Sequence, residues 1–312
     1  MTTNILALCG GVGGAKLALG LSRLLKPAEL LTVVNTGDDF RHLGLHISPD
    51  LDTVMYTLAG VADPERGWGL AGETWNFMRA LSRLGGSDWF NLGDQDLATH
   101  IYRTQGLQQG LGLAAVTQSL CASLGIAQRL VPMSDDPVQT IVCTDQGDLP
   151  FQDYFVRLAC RPRVRALRYA GADTARPHPD FAALLGNDAP HAVILCPSNP
   201  FLSIDPILSL PGVRAGLQST RAPVIAVSPI VGGKALKGPA AKIMAELGLP
   251  ATNLAIADYY RDLLNSLVID DIDAHEAPAI EKLGIEVRVV NTVMRSLQDR
   301  VELARRCLEG TS

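Results

Sequence analysis

The sequence predicts an α/β protein built on a parallel β-sheet, with a mostly helical segment inserted into it. Short apolar runs such as Ile5–Leu8, Leu30–Val34, Ala192–Cys196 and Val224–Val227 are bounded by Gly, Pro, Asn or Ser. Runs apolar on both faces mark strands that helices cover from two sides. Stretches with helical apolar spacing lie between these runs. The cluster Gly10-Gly11-Val12-Gly13-Gly14 sits between the first strand-like run and the first amphipathic one, at a strand-to-helix turn.

Length and composition agree with this class. A chain of 312 residues can bury a full core, either as one large domain or as a core with an inserted subdomain. Its 47% hydrophobic and 19% charged residues are those of a soluble globular protein. A net charge of -5 without any basic run argues against a nucleic-acid partner. The six cysteines, at 9, 121, 143, 160, 196 and 307, show neither CxxC pairing nor metal-ligand spacing, so free thiols in a reducing cytoplasm are expected. No signal-like segment opens the sequence and no apolar run approaches a membrane span; a cytoplasmic protein is expected.

Taken in order, Ile5–Leu8 is the first strand, and Leu17, Leu21, Leu24 and Leu25 give the following helix its apolar face. A helix N-terminus offers unpaired N–H groups and a positive dipole end, and glycine lets an anion approach. The turn is therefore a phosphate-site candidate, through Gly11, Val12, Gly13, Gly14 and Lys16, or else a tight packing turn. It is not a P-loop, because Lys16 is followed by Leu17 where a hydroxyl is required, and the third glycine of a dinucleotide fingerprint would fall on Lys16. Leu30–Asn35 is the second strand, and Thr36-Gly37-Asp38-Asp39 follows it. In a parallel sheet this puts a carboxylate pair beside the glycine turn. Asp38 and Asp39 suit a divalent cation that bridges phosphate oxygens; a capped turn is the alternative. Ser48-Pro49 opens a helix with Leu51, Val54, Met55 and Leu58 on one face, which places Asp50 and Asp52 at its entrance.

Residues 63–127 change character. Helical patterns run over Glu73–Leu84 and Leu113–Leu124 without a convincing strand between them. The turn Asn91-Leu92-Gly93-Asp94-Gln95-Asp96, with His100 four residues beyond Asp96, reads either as an acid–base pair or as a cap followed by an intrahelical pair; Asn91, Asp94 and Asp96 are ligand-binding candidates. From Val131 strand-like runs return, Val138–Thr144 forming one arm of a hairpin. The arginines at 157, 161, 163, 165 and 168 read as a solvated face. The α/β rhythm resumes at Ala192–Cys196 and Val224–Val227. Ser198, Asn199 and Ser228, at the ends of these strands, suit the reading of a nucleobase or ribose edge, with Gly232-Gly233-Lys234 and Lys237-Gly238-Pro239 as a flap over phosphates; ordinary strand-to-loop punctuation is the alternative. Strands at Leu267–Asp270 and Glu286–Val290 and a closing helix near Ser296–Leu308 complete the pattern. The expected division is a core of 1–62 and 190–312 and an insertion of 63–189.

The ordered set Gly10–Lys16, Asn35–Asp39, Ser48–Thr53, Leu92–His100, Met133–Pro137, Pro197–Pro200 and Ser228–Ile230 resembles the 2-phospho-L-lactate transferase family of deazaflavin coenzyme F-420 biosynthesis, in register to about Asp262. The resemblance implies a Rossmann-like three-layer core with an inserted α+β subdomain. It also implies transfer of a phosphorylated three-carbon acid from a guanosine diphosphate-linked donor to the ribityl hydroxyl of the deazaflavin Fo, releasing GMP with Mg2+ present. In these terms the glycine turn holds the donor diphosphate and Asp38 and Asp39 hold the metal. Asp50 or Asp52 meets the acceptor hydroxyls, and one of them is the proton acceptor. Asp52 and Asn91 fall where the family contacts Fo. Asn91 and Gln95 replace residues that are often basic in archaeal members, so phospholactyl, phosphoenolpyruvyl and phosphoglyceryl donors all fit. A homodimer is expected from apolar segments in the insertion. Nucleotide-sugar-binding regulators of the same superfamily are the competing reading; their glycine- and serine-rich continuation after the Asp pair is replaced here by Phe40-Arg41-His42-Leu43.

Overall fold

A computed structural model describes residues 5–186 and 189–311. Residues 1–4 and 312 of the expected core and 187–188 of the expected insertion lie outside the described residues. The chain forms β1 (Ile5–Cys9), α1 (Gly11–Leu24) and β2 (Leu30–Val34), then a small antiparallel hairpin of β3 (Phe40–His42) and β4 (Leu45–Ile47). Helices α2 (Pro49–Ala59), α3 (Asn76–Arg83), α4 (Asp96–Gln108) and α5 (Leu113–Ser123) follow. After β5 (Arg129–Pro132), a three-stranded antiparallel sheet is made of β6 (Gln139–Thr144), β7 (Gly147–Pro150) and β8 (Val164–Ala170). The remaining strands are β9 (Ala192–Leu195), β10 (Val224–Val227), the two-residue hairpin β11 (Ile230–Val231) and β12 (Lys234–Ala235), β13 (Ser266–Ile269) and β14 (Glu286–Val289).

Seven strands form one parallel sheet in the order β14-β13-β10-β9-β1-β2-β5. Its side chains alternate between two cores. Leu6, Leu8, Leu31, Val33, Val193 and Leu195 enter one, with Phe201, Ile207 and Tyr260. Ile5, Ala7, Cys9, Leu30, Val34 and Ile194 enter the other, with Leu17 and Leu21 of α1, Leu51, Val54 and Met55 of α2, and Leu303 of the C-terminal helix Leu297–Leu308. Both faces of the central strands are buried, which is why β1, β9 and β10 are unbroken apolar runs, while the edge strand β14 carries Glu286 and Arg288. The expected α/β three-layer fold is thus observed, with strand order reversing at β1, between β2 and β9. That reversal opens a crevice at the carboxyl edge, where open α/β sheets bind ligands.

Two local features differ from the sequence expectation. The segment 63–189 supplies β5, an edge strand of the core sheet paired in parallel with β2, so it is tied into the core by backbone hydrogen bonds. Phe40–His42 and Leu45–Ile47, too short to show an alternating pattern, pair as a hairpin whose His46 N–H donates to Thr104 Oγ1 of α4 at 2.8 Å. Of the five arginines at 157–168, Arg165 and Arg168 lie on β8 and the others precede it, and all five are exposed as expected.

Candidate functional site

The first shell of the crevice is built on β1, β2 and the start of α2. Gly11 begins α1 at φ +61°, and its N–H donates to Asp50 Oδ1 at 2.6 Å. The carboxylate of α2 therefore lies against the N-terminus of α1, the place expected to take a phosphate. The glycines are needed first for close packing. A Cβ on Gly14 would stand 2.6 Å from Ser198 Oγ and 2.8 Å from Cys9 Cβ, and one on Gly13 would collide with the Pro197 carbonyl. This lets Ser198 Oγ bond both Gly10 N–H (3.1 Å) and the Gly10 carbonyl (2.9 Å), locking the loop after β9 to the turn after β1.

Asn35, at the end of β2, organises the carboxylates. Its Nδ2 donates to Asp50 Oδ2 at 2.9 Å, Asp38 Oδ1 at 3.2 Å and the Leu202 carbonyl at 3.1 Å, and its Oδ1 accepts from Gly37 N–H at 2.7 Å. Asp39 Oδ2 accepts from Ser48 Oγ at 2.7 Å and lies 3.1 Å from His46 Nε2, whereas its buried Oδ1 has no partner. Burial, then the charges of Asp50 and Asp39, push the Asp38 carboxyl well above the usual range. Burial raises Asp39, opposed by His46 and Ser48. Burial also pushes Asp50 up to about 6, opposed by the bonds from Asn35 and Gly11. Three mutually repelling buried carboxylates, one with an orphaned oxygen, form the hard-oxygen donor set that fits a divalent cation.

A second cluster lies about half a turn along α2, at Asp52. Asp52 is paired through both carboxylate oxygens with the guanidinium of Arg103 on α4, Nη1 reaching Oδ2 at 3.1 Å and Nη2 bonding Oδ1. His100 stands between two acids, with Nδ1 3.7 Å from Asp52 Oδ2 and Nε2 3.3 Å from Asp96 Oδ2. Asp96 Oδ1 also accepts from Tyr56 OH at 2.5 Å. Asp52, Asp96 and His100 bring ligand atoms within 4.8 Å of one another, the spacing of a metal site. Arg103 already supplies a positive charge at this cluster.

The other candidates are distributed unequally. Asp94 caps α3, accepting from the N–H groups of Asn76 and Phe77 at 3.0 Å each and from Thr74 Oγ1 at 2.5 Å; the Thr74 bond leads in holding its carboxyl down at about 2. Glu73 caps α4 through Gln95 and Asp96 N–H. Asn91 is exposed. Lys16 Nζ donates to the Met294 carbonyl at 2.9 Å, and burial, then the charges of Arg300 and Lys237, lower its pKa. Val12 lies beneath Gly67. Asn199 Oδ1 accepts from Phe201 and Leu202 N–H, leaving its buried Nδ2 unpartnered. Ser228 Oγ accepts from Ile230 N–H at 3.2 Å. Sequence reasoning picked out neither Arg103 nor His46 and did not assign Asn35 a site role; Arg103 is one of several polar residues on an ordinary amphipathic helix, so no local signal marks it.

Fold and side-chain geometry together define an open α/β protein with a carboxylate-rich site at the switch point of its sheet. Comparison narrows this. A family model described as 2-phospho-L-lactate transferase CofD matches residues 5–293, and the chain belongs to that family of transferases. A phosphoenolpyruvate transferase of Kitasatospora aureofaciens is 42% identical, covering 98% of this chain and 97% of the relative. Another, of Mycolicibacterium smegmatis, is 40% identical and covers 98% of each. A crystal structure of a UPF0052 family protein from Bacillus halodurans shares the fold, with a TM-score of 0.64 at 11% identity over 99% of both chains. The resemblance expected from the ordered motifs is thus borne out across nearly the whole chain. Among the described residues no helix is long and apolar enough to cross a membrane.

Proposed function

We propose that the protein transfers a phosphorylated three-carbon acid, phosphoenolpyruvyl first among the three candidates, from a guanosine diphosphate-linked donor to the ribityl hydroxyl of Fo in coenzyme F-420 biosynthesis. Family membership and the relatives named phosphoenolpyruvate transferase support this reading. The observation that carries it is the joining of Asp38 and Asp50 through Asn35, with Asp50 against the N-terminus of α1. An arrangement of that kind handles a polyphosphate through a cation and through backbone N–H groups.

The acceptor oxygen forms a bond to the phosphorus of the phospho-acid, the bridging P–O bond to GMP breaks, and the hydroxyl proton passes to a carboxylate. Asp50 suits that role, since burial holds its carboxyl near 6, within reach of neutral pH, while two of its lone pairs are taken by Gly11 and Asn35. Asp52 binds the acceptor hydroxyls, and the exposed Asn91 reaches the acceptor from the insertion. Asp38 and Asp39 would hold Mg2+, which when bound neutralises phosphate charge. Gly11, Val12, Gly13, Gly14 and Lys16 face the donor diphosphate. Asn199, with its free Nδ2, Ser198 and Ser228 line the guanosine side. Asp94 and Asp96 hold the framework of the acceptor side. The same reading makes the protein a cytoplasmic homodimer, with 63–189 serving the acceptor.

The deciding experiment offers guanylylated phosphoenolpyruvate, 2-phospholactate and 3-phosphoglycerate separately, with Fo and Mg2+, and weighs the deazaflavin product by mass spectrometry. A product carrying one of the acids is expected and names the donor. A folded protein that binds guanine nucleotide but makes no product from any donor refutes the assignment in favour of a binding protein.

A further inference from the structure

Of the 27 lysines and arginines in the chain, Arg103 is the one fully buried among the described residues, at 1% exposure. It stands amid carboxylates: both Asp52 oxygens take its guanidinium, and Asp39 feels its charge. It is held in turn from its own helix by His100 Nδ1 at 3.4 Å and approaches the His46 carbonyl of β4 at 3.5 Å. A buried cation of this kind carries a large desolvation cost, which a planar two-pronged pairing with one carboxylate offsets. Ion pairs buried for stability alone are readily replaced by apolar residues. This one sits instead on the residue assigned to the acceptor, two residues from Asp50 on α2.

We propose that Arg103 is a positioning residue for the acceptor substrate. It fixes the Asp52 carboxylate in a single orientation, so that Asp52 presents its remaining lone pairs to the acceptor hydroxyls. A carboxylate offers about four lone-pair directions; the guanidinium fork occupies two, leaving two that point along predictable lines toward hydroxyl donors. His100 and Asp96, with Tyr56 bonded to Asp96, brace the fork from behind and tie α4 to α2. Lysine cannot do the same, because a single ammonium point leaves the carboxylate free to rotate. This assignment rests on the acceptor role of Asp52 proposed above.

The test compares wild type, Arg103→Lys, Arg103→Gln, Asp52→Asn and the double variant Asp52→Asn/Arg103→Gln. Apparent KM for Fo and for the donor, kcat and guanine-nucleotide binding are measured for each. Arg103→Lys is expected to raise the Fo KM at least about tenfold, a loss on the scale of one charge-assisted hydrogen bond, with donor KM and nucleotide binding within about twofold of wild type. Should Arg103→Gln fail to fold because Asp52 is left unpaired, the charge-balanced double variant restores folding. It is expected to be no worse in Fo KM than Asp52→Asn alone, because both changes act through one carboxylate. An unchanged Fo KM in Arg103→Lys, an equal rise in both KM values, or additive losses in the double variant overturns the role of Arg103. Absence of Fo turnover in the wild type overturns the underlying functional reading and this assignment with it.

Discussion

Gly14 allows a direct test of why the first turn is glycine-rich. In Gly14→Ala the new Cβ would lie 2.6 Å from Ser198 Oγ and 2.8 Å from Cys9 Cβ, where carbon–carbon contacts settle at about 3.5–4.0 Å. The end of β1 or the loop after β9 must therefore retreat by about 1 Å, against the paired bonds from Ser198 to Gly10. Overpacking of this kind costs about 1–3 kcal/mol, and the better helix propensity of alanine returns about 1 kcal/mol. The net loss, about 1 kcal/mol, is a Tm decrease of about 1–3 °C for a chain of this size. The effect on chemistry is larger, because a displacement of about 1 Å at a positioned reacting group costs up to about 100-fold in rate. The expected result is a nearly wild-type Tm with kcat/KM reduced by about 10- to 100-fold. Gly216→Ala is the control: its Cβ would meet Leu185 at 2.9 Å and 3.3 Å in helix Val213–Ser219, which holds no site residue. If kcat/KM in Gly14→Ala falls no further than in Gly216→Ala, the close approach of β1, α1 and the β9 loop does not set the geometry of the site.

Asp205 makes stability depend on pH. Buried beside Tyr259 and Tyr169, it ionises at about 6 in the folded protein and near 3.8 when exposed, so the folded state holds the extra proton and stability falls as pH rises from about 4 to about 6. The difference amounts to about 3 kcal/mol, and thermal melts of Asp205→Asn should lose that slope while wild type keeps it. Asp39→Asn removes a carboxylate charge and replaces one of its oxygens by an amide nitrogen, and Mn2+ binding followed by proton relaxation should weaken at least about tenfold; unchanged binding would move the cation site elsewhere. Asp94→Ala uncaps α3 and is expected to lower Tm while both substrate KM values stay within about twofold; a selective rise in the Fo KM would make Asp94 a ligand contact.

The legible part of this protein was whatever depends on local pattern. Strands buried on both faces are apolar at nearly every position, so β1, β2, β9, β10 and β13 stand out as runs, broken only by the buried Thr32 and Ser266. In a parallel sheet the loops following adjacent strands share an edge. The neighbourhood of Gly10–Gly14, Asp38–Asp39 and Asp50 therefore followed once β1 and β2 were recognised as neighbours. The helical register of Asp96 and His100 likewise gave their contact, since residues four apart share a face.

Partners far apart in the chain were decided only by the folded structure. Asp52 and Arg103 are separated by 51 residues, and an arginine on an amphipathic helix reads as solvated until tertiary packing closes over it. Asp94 and Asp96 look alike in sequence, yet one ends as an exposed cap for α3 and the other inside a buried network with Tyr56 and His100, because α4 begins between them. β5 was hidden because four residues at a sheet edge carry too little pattern to separate a core strand from the insertion around it. The sequence alone determined the layers, the glycine turn and the family, since these follow from periodicity and ordered motifs. Which carboxylate is bonded, orphaned or paired was decided by the tertiary structure, because burial and long-range pairing set the charge and orientation of a side chain.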